Sequence, residues 1–265
     1  MKHAVAYLSE IDRLIRGQDR LLVASDFDGT LCQIADSPSN VTVPTAIFET
    51  VRQLIGCERI ILVIISGRAV KDLVTRLPRP VILGGNYGLD ICGPNFRMEH
   101  AEAYELQAQL TKACRDLAQT VAMWKGAWVE DKTLTATVHY RNVNPDEHDS
   151  VVRAVRRSMA PYRTRLGMRA GQMAIEIHPR VAWNKGSCLT WIKQKLGLEN
   201  HACVCFGDDS TDEAMFLANA GQINIRVGTS GRSAAEFYVS DVFEVGDVLA
   251  HITQVMRPSG AGAAR

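Results

Sequence analysis

The chain has no excess of charge of either sign. Its 30 Lys and Arg residues stand against 29 Asp and Glu. A broad nucleic-acid-binding surface carries a basic excess, so no nucleic-acid partner is expected, although a local basic pocket for a small anion remains open. No apolar run approaches the ~18 residues of a membrane span, so no membrane partner is expected either. Residues 1–16 carry Glu10 and Asp12 within an amphipathic pattern, where a secretory signal needs an unbroken apolar stretch. There is no Cys-x-x-Cys. The seven cysteines, Cys32, Cys57, Cys92, Cys114, Cys188, Cys203 and Cys205, are odd in number and irregular in spacing, which excludes a zinc knuckle or a dithiol redox motif. A reduced, cytoplasmic protein is expected, with Cys203 and Cys205 as small core residues of an apolar run. No internal repeat or low-complexity segment stands out. The tail from Pro258 reads as structureless.

What is present is an ordinary globular balance of 46% hydrophobic and 22% charged residues. The chain is long enough for one large domain or two unequal ones. Its first half alternates helix and strand: helix over 4–16, strand over 21–25, helix over 44–55, strand over 59–65, helix near 69–76, strand over 81–83. Continuous apolar strands separated by helices predict a parallel sheet covered on both faces. The middle changes character. A long helix is expected over 101–121 and another over 145–159. Residues 133–140 alternate apolar and polar, as does 172–177, which predicts half-exposed antiparallel strands. The last third returns to the first style, with helices over 185–196 and 211–219 and strands over 202–206 and 223–227. The expected architecture is α/β: a Rossmann-like parallel-sheet core of residues 1–101 and 181–265, with an α+β module of residues 102–180 inserted into it.

The chemistry-bearing residues gather at the predicted strand ends. Asp26-Phe27-Asp28-Gly29-Thr30 follows the first strand, Ser66 the second, and Gly207-Asp208-Asp209-Ser210-Thr211-Asp212 the strand over 202–206, while Lys185 opens a helix. In a parallel sheet these ends converge on one edge. Two carboxylates as close as Asp26 and Asp28 are costly unless a cation lies between them, and a divalent metal with a phosphoryl group explains the pair most economically. Asp26 is then a nucleophile that becomes an aspartyl-phosphate, and Asp28 the acid that protonates the leaving oxygen and then activates water. Mg²⁺ suits hard carboxylate ligands. Asp26, Asp208 and the backbone carbonyl of Asp28 are its candidate ligands, with Asp209 beside them as a further one. Lys185, Thr30 and Ser66 would hold the phosphoryl oxygens.

Each cluster also has a plainer reading. Ser66-Gly67-Arg68 alone is a turn, Lys185 alone a solvated helix residue, and Asp209 and Asp212 a helix cap and a first-turn acid. A calcium loop starting at Asp26 would need glutamate at its twelfth position, where Ser37 stands. The conjunction in this order favours phosphoryl transfer.

These four clusters resemble the motifs of the haloacid dehalogenase superfamily, and the inserted module resembles its C2-type cap. Further matches resemble the trehalose-6-phosphate phosphatase family: Ile64-Ile65-Ser66-Gly67-Arg68, Gly84-Gly85-Asn86-Tyr87-Gly88-Leu89-Asp90, Glu130-Asp131-Lys132, His139-Tyr140-Arg141, Ala174-Ile175-Glu176-Ile177-His178-Pro179 and Asn184-Lys185-Gly186. Together they span most of residues 21–220. The resemblance implies a Mg²⁺-dependent phosphatase acting on a small phosphosugar, working as a monomer or weak dimer. By motif it implies Arg68, Asn86, Glu130, Lys132, Arg141 and Glu176 as substrate-binding residues. Without it, the four charges of the insert read as a solvated strand face with surface ion pairs. Tyr87 and Asp90 stand where the family usually has His and Glu, a departure that bears on sugar recognition and not on the hydrolytic core. The alternatives are a related phosphatase for sucrose 6-phosphate, a glycosyl-phosphoglycerate or a hexose phosphate, and a catalytically silent sugar-phosphate sensor. A sensor predicts loss of a core carboxylate or lysine, and none is missing.

Overall fold

The structure, a computed structural model, describes residues 1–35, 37–229 and 231–257. The tail expected to be structureless lies outside the described residues. The chain forms two compact units, one of Met1–Arg97 together with the chain from Trp183 on, the other of Met98–Ala182.

Among the described residues, nine strands make one sheet, in the order Lys2–His3, Phe237–Val239, Ile223–Val227, Ala202–Gly207, Leu21–Ser25, Ile60–Ile65, Ile82–Gly85, Asp90–Cys92 and Arg97–Glu99. Leu21–Ser25 lies at its centre, parallel to Ile60–Ile65 on one side and Ala202–Gly207 on the other. All five of its residues are buried, as a strand covered on both faces requires. Leu21 and Val23 enter a core shared with Ile11, Ile47, Val51, Val245 and Leu249, so the helices Leu8–Ile15, Thr45–Ile55 and Val242–Met256 cover one face. The helices Lys185–Leu196 and Glu213–Ala218 pack on each other.

Helix ends follow local chemistry. Asn184 accepts a hydrogen bond from the Ser187 N–H (3.0 Å) at the start of Lys185–Leu196, and Gly197, at φ +65°, ends it. Asp241 caps Val242–Met256, accepting from the N–H groups of Phe243 and Glu244.

In the second unit four antiparallel strands run in the order Trp128–Asp131, Ala136–His139, Ala174–Pro179 and Leu166–Gly171. Ala136, Val138, Ile175 and Ile177 form a core with Leu110, Leu117, Val151 and Val155 of the helices Gln107–Val121 and His148–Ser158.

Several expectations are corrected. The helix over 101–121 breaks into Ala101–Glu105 and Gln107–Val121, because the Leu106 N–H turns back to the Ala103 carbonyl. The helix near 69–76 holds α geometry only at Val70–Leu73, and that over 211–219 only at Glu213–Ala218, since the residues before it form a turn. The strand over 172–177 is shifted to Ala174–Pro179, because Met173, at φ +55°, turns the chain. Residues 134–138 are buried on both faces, not half-exposed: Thr135 and Thr137 are 2% and 4% accessible. Register sets Thr137 beside the longer side chains of Glu130 and Glu176.

Candidate active site

Asp26 begins where Leu21–Ser25 ends, and its N–H still donates to the Phe206 carbonyl of the neighbouring strand (2.9 Å). The chain then turns at Gly29, which has φ +80° and bonds from its N–H to the Cys32 carbonyl (2.8 Å). A Cβ on Gly29 would lie 2.2 Å from an Asp208 carboxylate oxygen, so only glycine lets the two strand-end loops meet here.

Lys185, 2% accessible, joins the two loops. Its Nζ lies 2.9 Å from Asp26 Oδ1 and 2.7 Å from Asp212 Oδ1. The other Asp212 oxygen accepts from the N–H groups of Asp208 (3.0 Å) and Asp209 (3.1 Å). Asp212 therefore ties the lysine to the backbone turn that presents Asp208. Among the described residues Asp26, Asp208 and Asp212 form one group whose ligand atoms lie within 4.8 Å of one another.

The charge balance is unequal. Burial alone would lower the Lys185 ammonium, yet Asp212 and Asp26 hold its pKa well above the ordinary value. Burial pushes the Asp26 carboxyl well up, with Lys185 pulling against it and Asp212 and Asp208 adding to it. Burial, then the charges of Asp212 and Asp209, push Asp208 up to about 7, against the pull of Lys185. Three crowded acids facing one ammonium fit a further hard cation. The Thr30 hydroxyl beside them is buried with no hydrogen-bond partner among the described residues, a donor free for a bound oxyanion.

Asp28 is bound elsewhere. Arg68 grips its carboxylate with two hydrogen bonds, Nε to Oδ2 at 2.7 Å and Nη2 to Oδ1 at 2.8 Å. Arg68 is bonded in turn to Asp72 (2.6 Å) and to the Pro38 carbonyl (3.2 Å), and Arg76 donates to Asp72 (2.9 Å). Such bidentate pairs are the strong, orienting kind. The guanidinium expected to meet substrate is thus committed to carboxylates. Ser66 Oγ accepts from the Arg68 N–H (3.2 Å). Asn86, at φ +50°, and Tyr87, at φ +60°, tie back to this loop, with N–H bonds to the carbonyls of Arg68 and Ser66 (both 2.8 Å). A Cβ on Gly67 would meet the Tyr87 ring at 2.6 Å, so the departing residue fills the space that glycine leaves. Asp90, the other departure, pairs with Arg97 (3.3 Å).

One expected ligand lies outside the acidic group. Asp209 is exposed, and its Oδ1 accepts from the N–H and the hydroxyl of Thr211, both at 2.6 Å. Asp212 joins the acidic group in its place. In sequence Asp212 stands as the last acid of the cluster Gly207-Asp208-Asp209-Ser210-Thr211-Asp212, with a first-turn acid as its plainer reading.

In the second unit Glu130 lies 2.9 Å from His139 Nε2 and 3.7 Å from Lys132 Nζ. His139 stacks on Trp128, with ring centroids 4.3 Å apart. Glu176 pairs with Arg169 through Nε (2.8 Å) and Nη2. Arg169 carried no motif; its signal was its place two residues before the hairpin turn end at Gly171. Arg141 donates to the Gln172 carbonyl at that turn (3.2 Å) and is not part of either pair.

A buried lysine lies between acids at the strand ends of a parallel sheet, and the fold is shared with a haloacid dehalogenase-like hydrolase from Bacteroides thetaiotaomicron, which superposes with TM-score 0.62 at 14% identity over 88% of this chain and 98% of that one. Solved structures agree on the fold: the C-terminal domain of trehalose-6-phosphate phosphatase from C. albicans superposes with TM-score 0.78 at 20% identity, over 94% of this chain and 97% of that one. The chain belongs to the trehalose-phosphatase family, whose model matches residues 24–241. It is similar to the trehalose-phosphate phosphatase of Mycobacterium leprae, 32% identical over 202 residues, 73% of this chain and 46% of that protein. It is equally similar to a Mycobacterium tuberculosis protein described as an uncharacterized glycosyl hydrolase, 32% identical over 262 residues, 94% of this chain and 19% of that protein. The chain thus spans 19% and 46% of the length of these two curated relatives.

Proposed function

We propose that this chain is a Mg²⁺-dependent phosphatase that hydrolyses trehalose 6-phosphate to trehalose and phosphate. The observation that carries the reaction type is the buried Asp26–Lys185–Asp212 bridge beside Asp208. It gives a carboxylate nucleophile, a fixed cation and a surplus of acid in one place. Family membership and the relatives named as trehalose-phosphate phosphatases support the substrate.

Asp26 attacks phosphorus, and the bond to the sugar oxygen breaks as Asp28 gives that oxygen a proton. Asp28 then takes a proton from water, which attacks the aspartyl-phosphate and frees Asp26. Arg68 holds both oxygens of Asp28 and so fixes where that carboxyl stands until the ester is bound. Asp26, Asp208 and the Asp28 main-chain carbonyl would hold the Mg²⁺, with Asp212 steadying the loop. When bound, the ion offsets the negative charge of carboxylates and phosphoryl oxygens. Lys185, Thr30 and Ser66 bind the remaining phosphoryl oxygens. In the second unit Glu130, Lys132 and Glu176 read the sugar hydroxyls, with Arg169 orienting Glu176 and Arg141 steadying the hairpin turn. Seven cysteines without a disulfide are in keeping with a reducing, cytoplasmic setting.

The test is phosphate release from trehalose 6-phosphate, sucrose 6-phosphate, a glycosyl-phosphoglycerate and hexose 6-phosphates, with Mg²⁺ or EDTA. Trehalose 6-phosphate should be preferred, EDTA should stop turnover, and Asp26→Asn should be folded and silent. Preference for another ester would overturn the substrate. Turnover by Asp26→Asn would overturn the nucleophile.

A further inference from the structure

The sheet of the second unit turns Ala136, Val138, Ile175 and Ile177 onto its own helices, and the side chains between them in sequence stand on the opposite, polar face. Register lays one row straight across that face: Glu130 opposite Thr137, Thr137 opposite Glu176, Glu176 opposite Arg169. Directly opposed side chains have Cβ atoms about 4.5–5.5 Å apart, so a single threonine lies between two glutamates. The acids have ion-pair partners, His139 and Lys132 for Glu130 and Arg169 for Glu176. Thr137 has none. The residue is 4% accessible, and its hydroxyl is buried with no hydrogen-bond partner among the described residues.

Buried hydroxyls are nearly always paired, and an unpaired one costs folding free energy. Valine would fill the same space with the same β-branched shape and no such cost. A buried hydroxyl between two carboxylates, unpaired among the described residues, is accounted for by a partner that arrives with the ligand. A sugar hydroxyl is that kind of partner, since it can accept from Thr137 while donating to a neighbouring glutamate.

We propose that Thr137 is a specificity-determining residue that hydrogen-bonds a hydroxyl of the bound sugar between Glu130 and Glu176. This rests on the second unit being the sugar-reading part, as proposed above. A protein group aimed at one substrate hydroxyl discriminates against esters that cannot meet it.

The experiment compares Thr137→Val, Thr137→Ser and Glu176→Ala with the unaltered protein in Mg²⁺. It reads kcat/KM for trehalose 6-phosphate and for p-nitrophenyl phosphate, together with thermal unfolding. Thr137→Val should melt at the same or a higher temperature. Its preference for the sugar ester over the aryl ester should fall about three- to tenfold, the worth of one hydrogen bond, chiefly through KM. Thr137→Ser, which restores a hydroxyl, should recover that preference. If Glu176→Ala loses the preference and Thr137→Val keeps it, the Thr137 proposal fails and the reading of the second unit stands. If Glu176→Ala leaves the preference intact, that reading fails and the Thr137 proposal falls with it.

Discussion

Replacing Asp208 by asparagine should make the metal-free protein more stable while destroying its response to Mg²⁺. The folded state keeps the Asp208 carboxyl in a buried place crowded by Asp212 and Asp209, which raises its pKa from 3.8 to about 7. The folded protein therefore holds that proton about a thousandfold more tightly than the unfolded chain, and each tenfold is worth about 1.4 kcal/mol. The sign follows from linkage. Below about pH 4 both states carry the proton and there is no penalty. Between about pH 4 and 7 the unfolded chain has released its proton and the folded one has not, so stability falls as pH rises. Above about pH 7 the full penalty is present, with a ceiling of about 4 kcal/mol.

Asparagine has nearly the same shape and no charge to bury. In EDTA at pH 8 the variant should be more stable by about 2–4 kcal/mol. The gap should shrink toward zero as the pH approaches 4. Acids such as Asp72, whose carboxyl is held below its ordinary value by Arg76 and Arg68 against the effect of burial, titrate alike in both proteins and cancel in the difference. Urea unfolding at several pH values, with and without Mg²⁺, measures all of this. Mg²⁺ should stabilise the unaltered protein by mass action and leave the variant unmoved. A variant less stable than the parent in EDTA at pH 8, or a gap that does not change with pH, would refute the reasoning.

Three further substitutions probe the same pocket. Lys185→Met leaves Asp26 and Asp212 buried without their counter-charge and should cost about 3–5 kcal/mol at neutral pH, less in acid; urea unfolding at pH 5 and 7.5 reads the difference. Gly29→Ala forces a side chain into a positive-φ turn against the Asp208 carboxylate, and should destabilise by about 1–3 kcal/mol while weakening Mg²⁺ more than folding, as a Mg²⁺ titration of activity would show. Arg68→Lys replaces a two-pronged grip on Asp28 by a point charge. It should lower kcat about 10–100-fold on sugar phosphates, whose leaving oxygen needs a proton, and less on p-nitrophenyl phosphate; equal losses on both would detach Arg68 from Asp28's role.

The parallel core was legible because its strands are unbroken apolar runs ending in polar residues. Leu21–Ser25 stands where the pattern placed it, and Ala202–Gly207 runs one residue past its expected end. Alternation misleads at 133–140, where it predicts half-exposed strand with its polar positions outward. Thr135 and Thr137 are buried with the apolar residues between them, because alternation reports which side chains share a face and not what lies over that face. Asp212 is legible as the last acid of the 207–212 cluster but not as the partner of Lys185. In sequence it is an acid at the start of a short helix, a position with a sufficient local explanation. Its inward turn depends on the Asp208 and Asp209 N–H groups and on Lys185, 27 residues upstream.

The proposed catalytic and recognition residues differ in how far spacing along the chain can encode them. Asp26, Ser66 and Asp208 each sit just past a strand of one parallel sheet, so strand order alone brings them to one edge. No register need be known, because a slip of one residue between strands would still leave each of them at that edge. The row Glu130, Thr137, Glu176 and Arg169 is set by register across four antiparallel strands, where a one-residue slip sends every side chain to the other face. That register depends on the turn through Met173, whose positive φ closes the hairpin that brings Arg169 opposite Glu176. Glu130 and Glu176 could be carried over by motif. Thr137 and Arg169 needed the pairing itself, and a sequence read strand by strand holds no statement of pairing.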